Sequence, residues 1–353
     1  MRLKNLYLMN TPGCDKTAVT VGLALQLRDE GARVGFFKPV GRPSPHGQAD
    51  REAALMASLL DLDTPPEVMV PFVAGPSYLS GRCTVAQVKE RVVAAYREVA
   101  SRFDVVVISC PAAPHVAGSF GLDAVNLFPY FDAVALLVAR VENDYSVDEA
   151  VYFHDCLAAR HIPLAGVIFN SVPQALLAKT RGVYVPLLEE RQVRGLGVLP
   201  ARTVLTAPTV EEIHEQLDGE VLAGERNMHL RVEDLVVGAM TIESALNYLR
   251  RSPNKAVVTG GDRADLALAA LETSTSAIIL TGGLYPDVKV IARAEDKGVP
   301  LILVHADTYT TVERLNGIVH HVRAADHEAV AAARESIAAH CRWLDILERL
   351  REE

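Results

Sequence analysis

Residues 6–23 read LYLMNTPGCDKTAVTVGL. An unbroken apolar run, a turn marked by Pro12 and Gly13, and then Lys16-Thr17 opening a helical pattern specify strand, loop and helix in that order. The spacing follows the phosphate-binding loop G-x-x-x-x-G-K-[ST], whose backbone N–H groups wrap an anion at a helix N-terminus. Asn10 and Asp15 stand where that pattern has glycine. Glycine leaves room for the backbone to close on a phosphate, and an aspartate beside the anion repels it. Lys16 keeps the ammonium that pairs with phosphate, Thr17 keeps the hydroxyl that reaches a magnesium ion, and Gly13 stays within the loop. The competing reading makes Asp15 the N-cap of the helix and nothing more.

Working outward, apolar runs near 33–40, 104–110, 133–141, 165–172 and 195–199 alternate with helical patterns near 51–60, 84–102, 146–160 and 209–216. Strands that are apolar throughout, rather than alternating, are parallel strands covered on both faces. The fold class is therefore α/β, a doubly wound and mostly parallel sheet. Around 218–228 the pattern gives way to a polar, glycine-punctuated stretch, which places a junction there. A second βα series follows, with strands near 235–240, 256–259, 277–280 and 300–304. The expected domains are 1–218, 219–323 and a C-terminal helix over 324–353.

The 353 residues carry 35 Lys and Arg against 44 Asp and Glu, a formal net charge of −9. That balance argues against a nucleic-acid partner. No apolar run reaches the roughly 18 residues of a membrane span, so no membrane partner is expected. Five scattered cysteines without a CxxC pair fit a reducing, cytoplasmic setting.

Further strings sharpen the reading. FFKPV at 36–40 closes the second strand with Lys38, Asp50 opens the next helix, and Asn170 ends the fifth strand within GVIFNSVP. Together with the loop, these resemble the dethiobiotin synthetase family of P-loop proteins. The resemblance implies ATP or another nucleotide with magnesium. Gly13, Lys16, Thr17 and Lys38 would then lie at the phosphates, Asn170 near the base, and Thr17 and Asp50 at the metal. In the second half, VVTGGDRADLALAALE, AIILTGGLYPD and GVPLILVHADTYTTVERL resemble the DRTGG domain. This domain order is that of the N-terminal half of long phosphate acetyltransferases, whose acetyl-transferring domain would lie beyond residue 353.

The pattern also breaks. Working synthetases carry a magnesium-binding Glu after the strand that reads DVVVISCP here, where Ser109 and Cys110 stand. Losing a metal carboxylate and the loop glycines impairs phosphoryl transfer. Cys110 with His115 reads as a nucleophile and base, or as a small buried residue. Gly260, Gly261, Asp262 and Arg263, with Gly282 and Gly283, sit at strand ends before helices. They form either a small-anion pocket or tight βα turns, with Asp262 as an N-cap, or a subunit interface. His320-His321 reads as a pair of surface or interface histidines rather than a metal site, since neighbours on a strand face opposite ways and do not easily share one ion.

Three functions follow. The first is a non-catalytic regulatory protein that binds a nucleotide or small phosphorylated ligand, as a homo-oligomer, and acts on a separately encoded metabolic enzyme. The second is an ATP-dependent ligase or ATPase of the synthetase class. The third is a structural subunit with a degenerate site, which side chains of Asn10 and Asp15 filling the crevice would favour.

Overall fold

The computed structural model describes residues 3–43, 50–81, 84–111, 113–316, 318 and 322–351; His320 and His321 lie outside the described residues. The chain divides into two compact units, 1–205 with 322–353, and 206–321.

The first unit holds β1 (Asn5–Asn10), β2 (Val34–Phe37), β3 (Val105–Ser109), β4 (Ala133–Arg140), β5 (Leu164–Val172) and β6 (Gly195–Pro200) in the order β2-β3-β1-β4-β5-β6. Every pairing is parallel. Successive residues feed opposite faces: Tyr7, Met9, Phe37 and Ile108 pack on one side, and Leu6, Leu8, Phe36 and Val107 on the other. That is why these strands read as continuous apolar runs. The chain leaves β1 through α1 (Thr17–Asp29) for β2, passes through α2 (Arg51–Leu59), and returns to β3 beside β1 before crossing to β4 on the other side. The carboxyl end of β1 is thus the reversal point, where open α/β sheets bind ligands.

The C-terminal segment is two helices, His327–His340 and Trp343–Arg351, where one was expected. The break has a cause. Cys341 bridges Gly197, and the Arg342 amide donates to the Leu196 carbonyl at 2.7 Å, so extended backbone covers the β6 edge. The first of these helices lies along α1. A Cβ at Gly22 would sit 2.4 Å from Ile337 Cγ1 and 2.7 Å from the Ala333 carbonyl oxygen, so glycine sets the approach. Trp343 packs beside this same apolar cluster.

The second unit has β7 (Glu220–Ala223), β8 (Asp234–Val237), β9 (Lys255–Gly260), β10 (Thr275–Thr281) and β11 (Leu301–Leu303), ordered β7-β11-β10-β9-β8. All neighbours are parallel except β7, which runs antiparallel to β11. The division between units falls at 205/206 rather than 218. The helix Val210–Leu217 buries Val210, Ile213 and Leu217 with Val258, Ile279 and Ile302 of the second sheet. The stretch after 218 supplies edge strand β7, at four residues too short to show a period.

Candidate functional site

The β1–α1 loop is held from inside by the two residues that replace glycine. Asn10 is fully buried. Its Nδ2 donates to the carbonyls of Thr11 and Cys14, both at 3.0 Å, and its Oδ1 accepts from Cys110 Sγ at 3.4 Å. Asp15 turns its Oδ1 onto the Thr17 amide at 3.0 Å and the Thr17 hydroxyl at 2.8 Å. An anionic oxygen thus already occupies the first free amide of α1. Asn170 Nδ2 donates to the Asp15 carbonyl at 2.8 Å, tying β5 to the loop. Gly13 adopts φ +72°, the left-handed region that suits glycine. Lys16 is 4% exposed, and its Nζ donates to the Cys110 carbonyl at 2.8 Å.

Beside the loop lies a buried charge cluster. Lys38 Nζ sits between Asp50 Oδ1 at 2.9 Å and Glu52 Oε2 at 3.0 Å. Asp50 Oδ1 also accepts from the Glu52 and Ala53 amides at the start of α2, and Oδ2 from the Arg42 amide at 3.1 Å. Ser109 Oγ lies 2.9 Å from both Glu52 carboxylate oxygens, and Thr20 Oγ1 lies 3.4 Å from one of them. Burial opposes the charge on Glu52, but Lys38 and then Lys16 outweigh it and hold the carboxyl down to about 2. Burial likewise opposes the charge on Lys38, and Glu52 with Asp50 outweighs it, raising its pKa.

These residues do not fit magnesium. Thr17 Oγ1 is bonded to Asp15, Asp50 has both oxygens engaged, and the carboxylate nearest β3 is already paired with an ammonium. Among the described residues, no group of three His, Cys, Asp or Glu is placed to hold a metal ion. Nor does Cys110 suit nucleophilic work: it is fully buried, burial pushes its thiol up, and no hydrogen bond joins it to the exposed His115.

Ala18, Asn170, Pro200, Leu205 and Ser336 line a hollow of about 10 Å³, room for one water. The helix His327–His340 supplies Ser336 to it, and among the described residues Ser336 Oγ has no hydrogen-bond partner.

In the second unit the paired glycines serve turn packing. A Cβ on Gly261 would lie 1.7 Å from the Leu284 carbonyl oxygen, so two βα turns touch backbone to backbone there. Gly282 and Gly283 have φ +83° and +66°. Gly260 would bring a Cβ within 2.5 Å of Asp262 Oδ1. Asp262 makes no capping bond, since the helix Ala264–Leu271 starts from Arg263 without a side-chain cap. The Arg263 guanidinium turns back to Asp265 at 3.2 Å and the Met240 carbonyl at 3.1 Å.

A family model described as an AAA domain matches residues 12–209, more than half of the chain. The chain belongs to that family. Within this AAA-domain protein, a DRTGG domain model matches residues 212–318. The phosphate acetyltransferase of Pseudomonas putida is 26% identical over 354 residues, covering 94% of this chain and 50% of the relative. That of Nitrosomonas europaea is 24% identical, with 96% and 50% covered. The chain therefore spans about half the length of the curated relatives it matches and corresponds to their N-terminal region. Among solved structures, the septum site-determining protein MinD with Mg-ADP from Pyrococcus horikoshii aligns at TM-score 0.39 and 16% identity, over 57% of this chain and 83% of that one.

Of the residues singled out in the sequence, the fold brings Lys16, Thr17 and Asn170 to one loop, and joins Lys38 to Asp50 beside it. Glu52 was missed. It is the second residue of α2, and nothing in its spacing announces that it meets Ser109, 57 positions away.

Proposed function

We propose that this chain is a non-catalytic protein whose nucleotide-type site is taken up by its own side chains, an arrangement that favours a structural or regulatory subunit over a ligand sensor. The observation that carries the reading is the Lys38 ammonium, buried between Asp50 and Glu52 where the resemblance calls for a metal. Phosphoryl transfer needs a positioned cation and free donors around the migrating group. Here the cation is a lysine already neutralised by two carboxylates. The first α1 amide is spent on Asp15, and the hollow beside Asn170 admits no more than a water. In this reading the AAA-domain unit acts as a scaffold, and regulation bears on acetyl-transfer chemistry of the kind its relatives perform.

Calorimetry with ATP and ADP, each with and without magnesium, combined with a phosphate-release assay, tests this. No saturable heat and no release are expected. Magnesium-dependent ATP binding with turnover would return the chain to the ligase or ATPase class. Saturable, magnesium-independent nucleotide binding would return it to nucleotide sensing.

A further inference from the structure

The geometry points to a second anion site in the first unit, at the amino ends of β4 and β5, opposite the loop at 10–17. A surface hollow of about 440 Å³ opens there, a volume suited to a small metabolite. Two cations line it from separate elements: Lys89 from the helix Val85–Arg102, and Arg160 from the turn that follows the helix Tyr145–Ala158. Lys89 Nζ stands 4.4 Å from the centre of the Tyr130 ring. Arg160 Nη1 donates to Asn126 Oδ1 at 3.2 Å. Among the described residues neither forms an ion pair, whereas Arg33, Arg263 and Arg293 each hold a carboxylate. In a chain of net charge −9, a hollow with two cations and no carboxylate against them concentrates positive potential.

The surroundings narrow the ligand. Val125, Pro129 and Ile162 supply apolar wall and Tyr130 an aromatic one. Asp123 is the nearby acid, and its oxygens accept from the Val125 and Asn126 amides and from Asn126 Nδ2. Asn126 Oδ1 in turn holds the guanidinium in place. A planar guanidinium and an ammonium that line one hollow bind a phosphate by charge-assisted hydrogen bonds. The ligand class is therefore a small phosphate monoester with a compact apolar body: the phosphate between Arg160 and Lys89, and the body against Tyr130 and Val125.

The test is calorimetry at fixed ionic strength with phenyl phosphate and inorganic phosphate as probes. Phenyl phosphate is expected to bind at least about tenfold tighter than inorganic phosphate, because only it uses the apolar wall. Arg160→Gln should weaken it about tenfold or more, Lys89→Met by several fold, and Arg160→Lys by less than Arg160→Gln. Both side chains lie at the surface, so circular dichroism should report an unchanged fold in each variant. Absence of saturable phenyl phosphate binding overturns the site. So does binding that Arg160→Gln and Lys89→Met leave unchanged, which would place the anion elsewhere, at the loop 10–17 among other positions. Neither result bears on the ATP experiment, which reads the other end of the sheet.

Discussion

Replacing Lys38 by Met, similar in length but uncharged, removes the cation on which the buried cluster depends. Among the described residues, Glu52 and Asp50 would then share a site 3–9% exposed with no neutralising partner within 3 Å. Breaking a buried pair from one side costs about 3–5 kcal/mol, because the remaining charge is stranded. The Glu52 carboxyl gives an independent figure. Held near 2 instead of 4.5, it contributes about 3 kcal/mol to folding at neutral pH. For a unit of this size each kcal/mol moves the melting temperature by about 2–4 °C, so Lys38→Met should lower it by about 6–20 °C.

The sign of the pH dependence follows. In the native chain the folded-state pKa of Glu52 is depressed, so its contribution is present above the unfolded value and is lost as pH falls from about 4.5 toward 2. In Lys38→Met burial acts with less opposition, Glu52 takes up a proton more readily, and the deficit should be smaller at pH 5 than at pH 8. The assay is denaturant unfolding of the native chain, Lys38→Met, Glu52→Gln and the double variant, at both pH values. The double variant should recover part of the loss. Effects that add within about 0.5 kcal/mol, or a Lys38→Met melting point within about 2 °C of native, would refute the claim that this ion pair holds the site.

Four further outcomes are expected. Ser109→Glu, the change that restores the acid of working synthetases, should destabilise the chain without creating magnesium-dependent stabilisation in a thermal shift assay. It sets a second carboxylate beside Glu52, which Ser109 now contacts at 2.9 Å. Asp15→Gly should free the first amide of α1 and give saturable pyrophosphate binding that the native chain lacks, read by calorimetry. Gly261→Ala should cost about 1–3 kcal/mol or more in denaturant unfolding, since its Cβ would meet the Leu284 carbonyl at 1.7 Å. Gly282→Ala meets no atom within 4 Å, and its cost is limited to the strain of φ +83°.

The amino-acid sequence by itself determined the layered α/β architecture. Apolar runs such as 105–109 and 133–139 are buried on both faces, and that requirement is local to each strand. It also determined the loop at the β1–α1 turn, because Lys16-Thr17 follows β1 at a fixed distance along the chain. Only the tertiary structure decided what fills that loop. Whether Asp15 repels a ligand or caps a helix turns on which way one carboxylate rotates. Whether Asp50 meets a metal or an ammonium turns on where Lys38 and Glu52 arrive from two other elements. The C-terminal segment broke into two helices because an exposed strand edge drew Cys341 and Arg342 into extended backbone, and β7 formed because β11 offered an open edge. Each of these is a contact between residues far apart along the chain, and its energy depends on burial and distance that no spacing along the chain records.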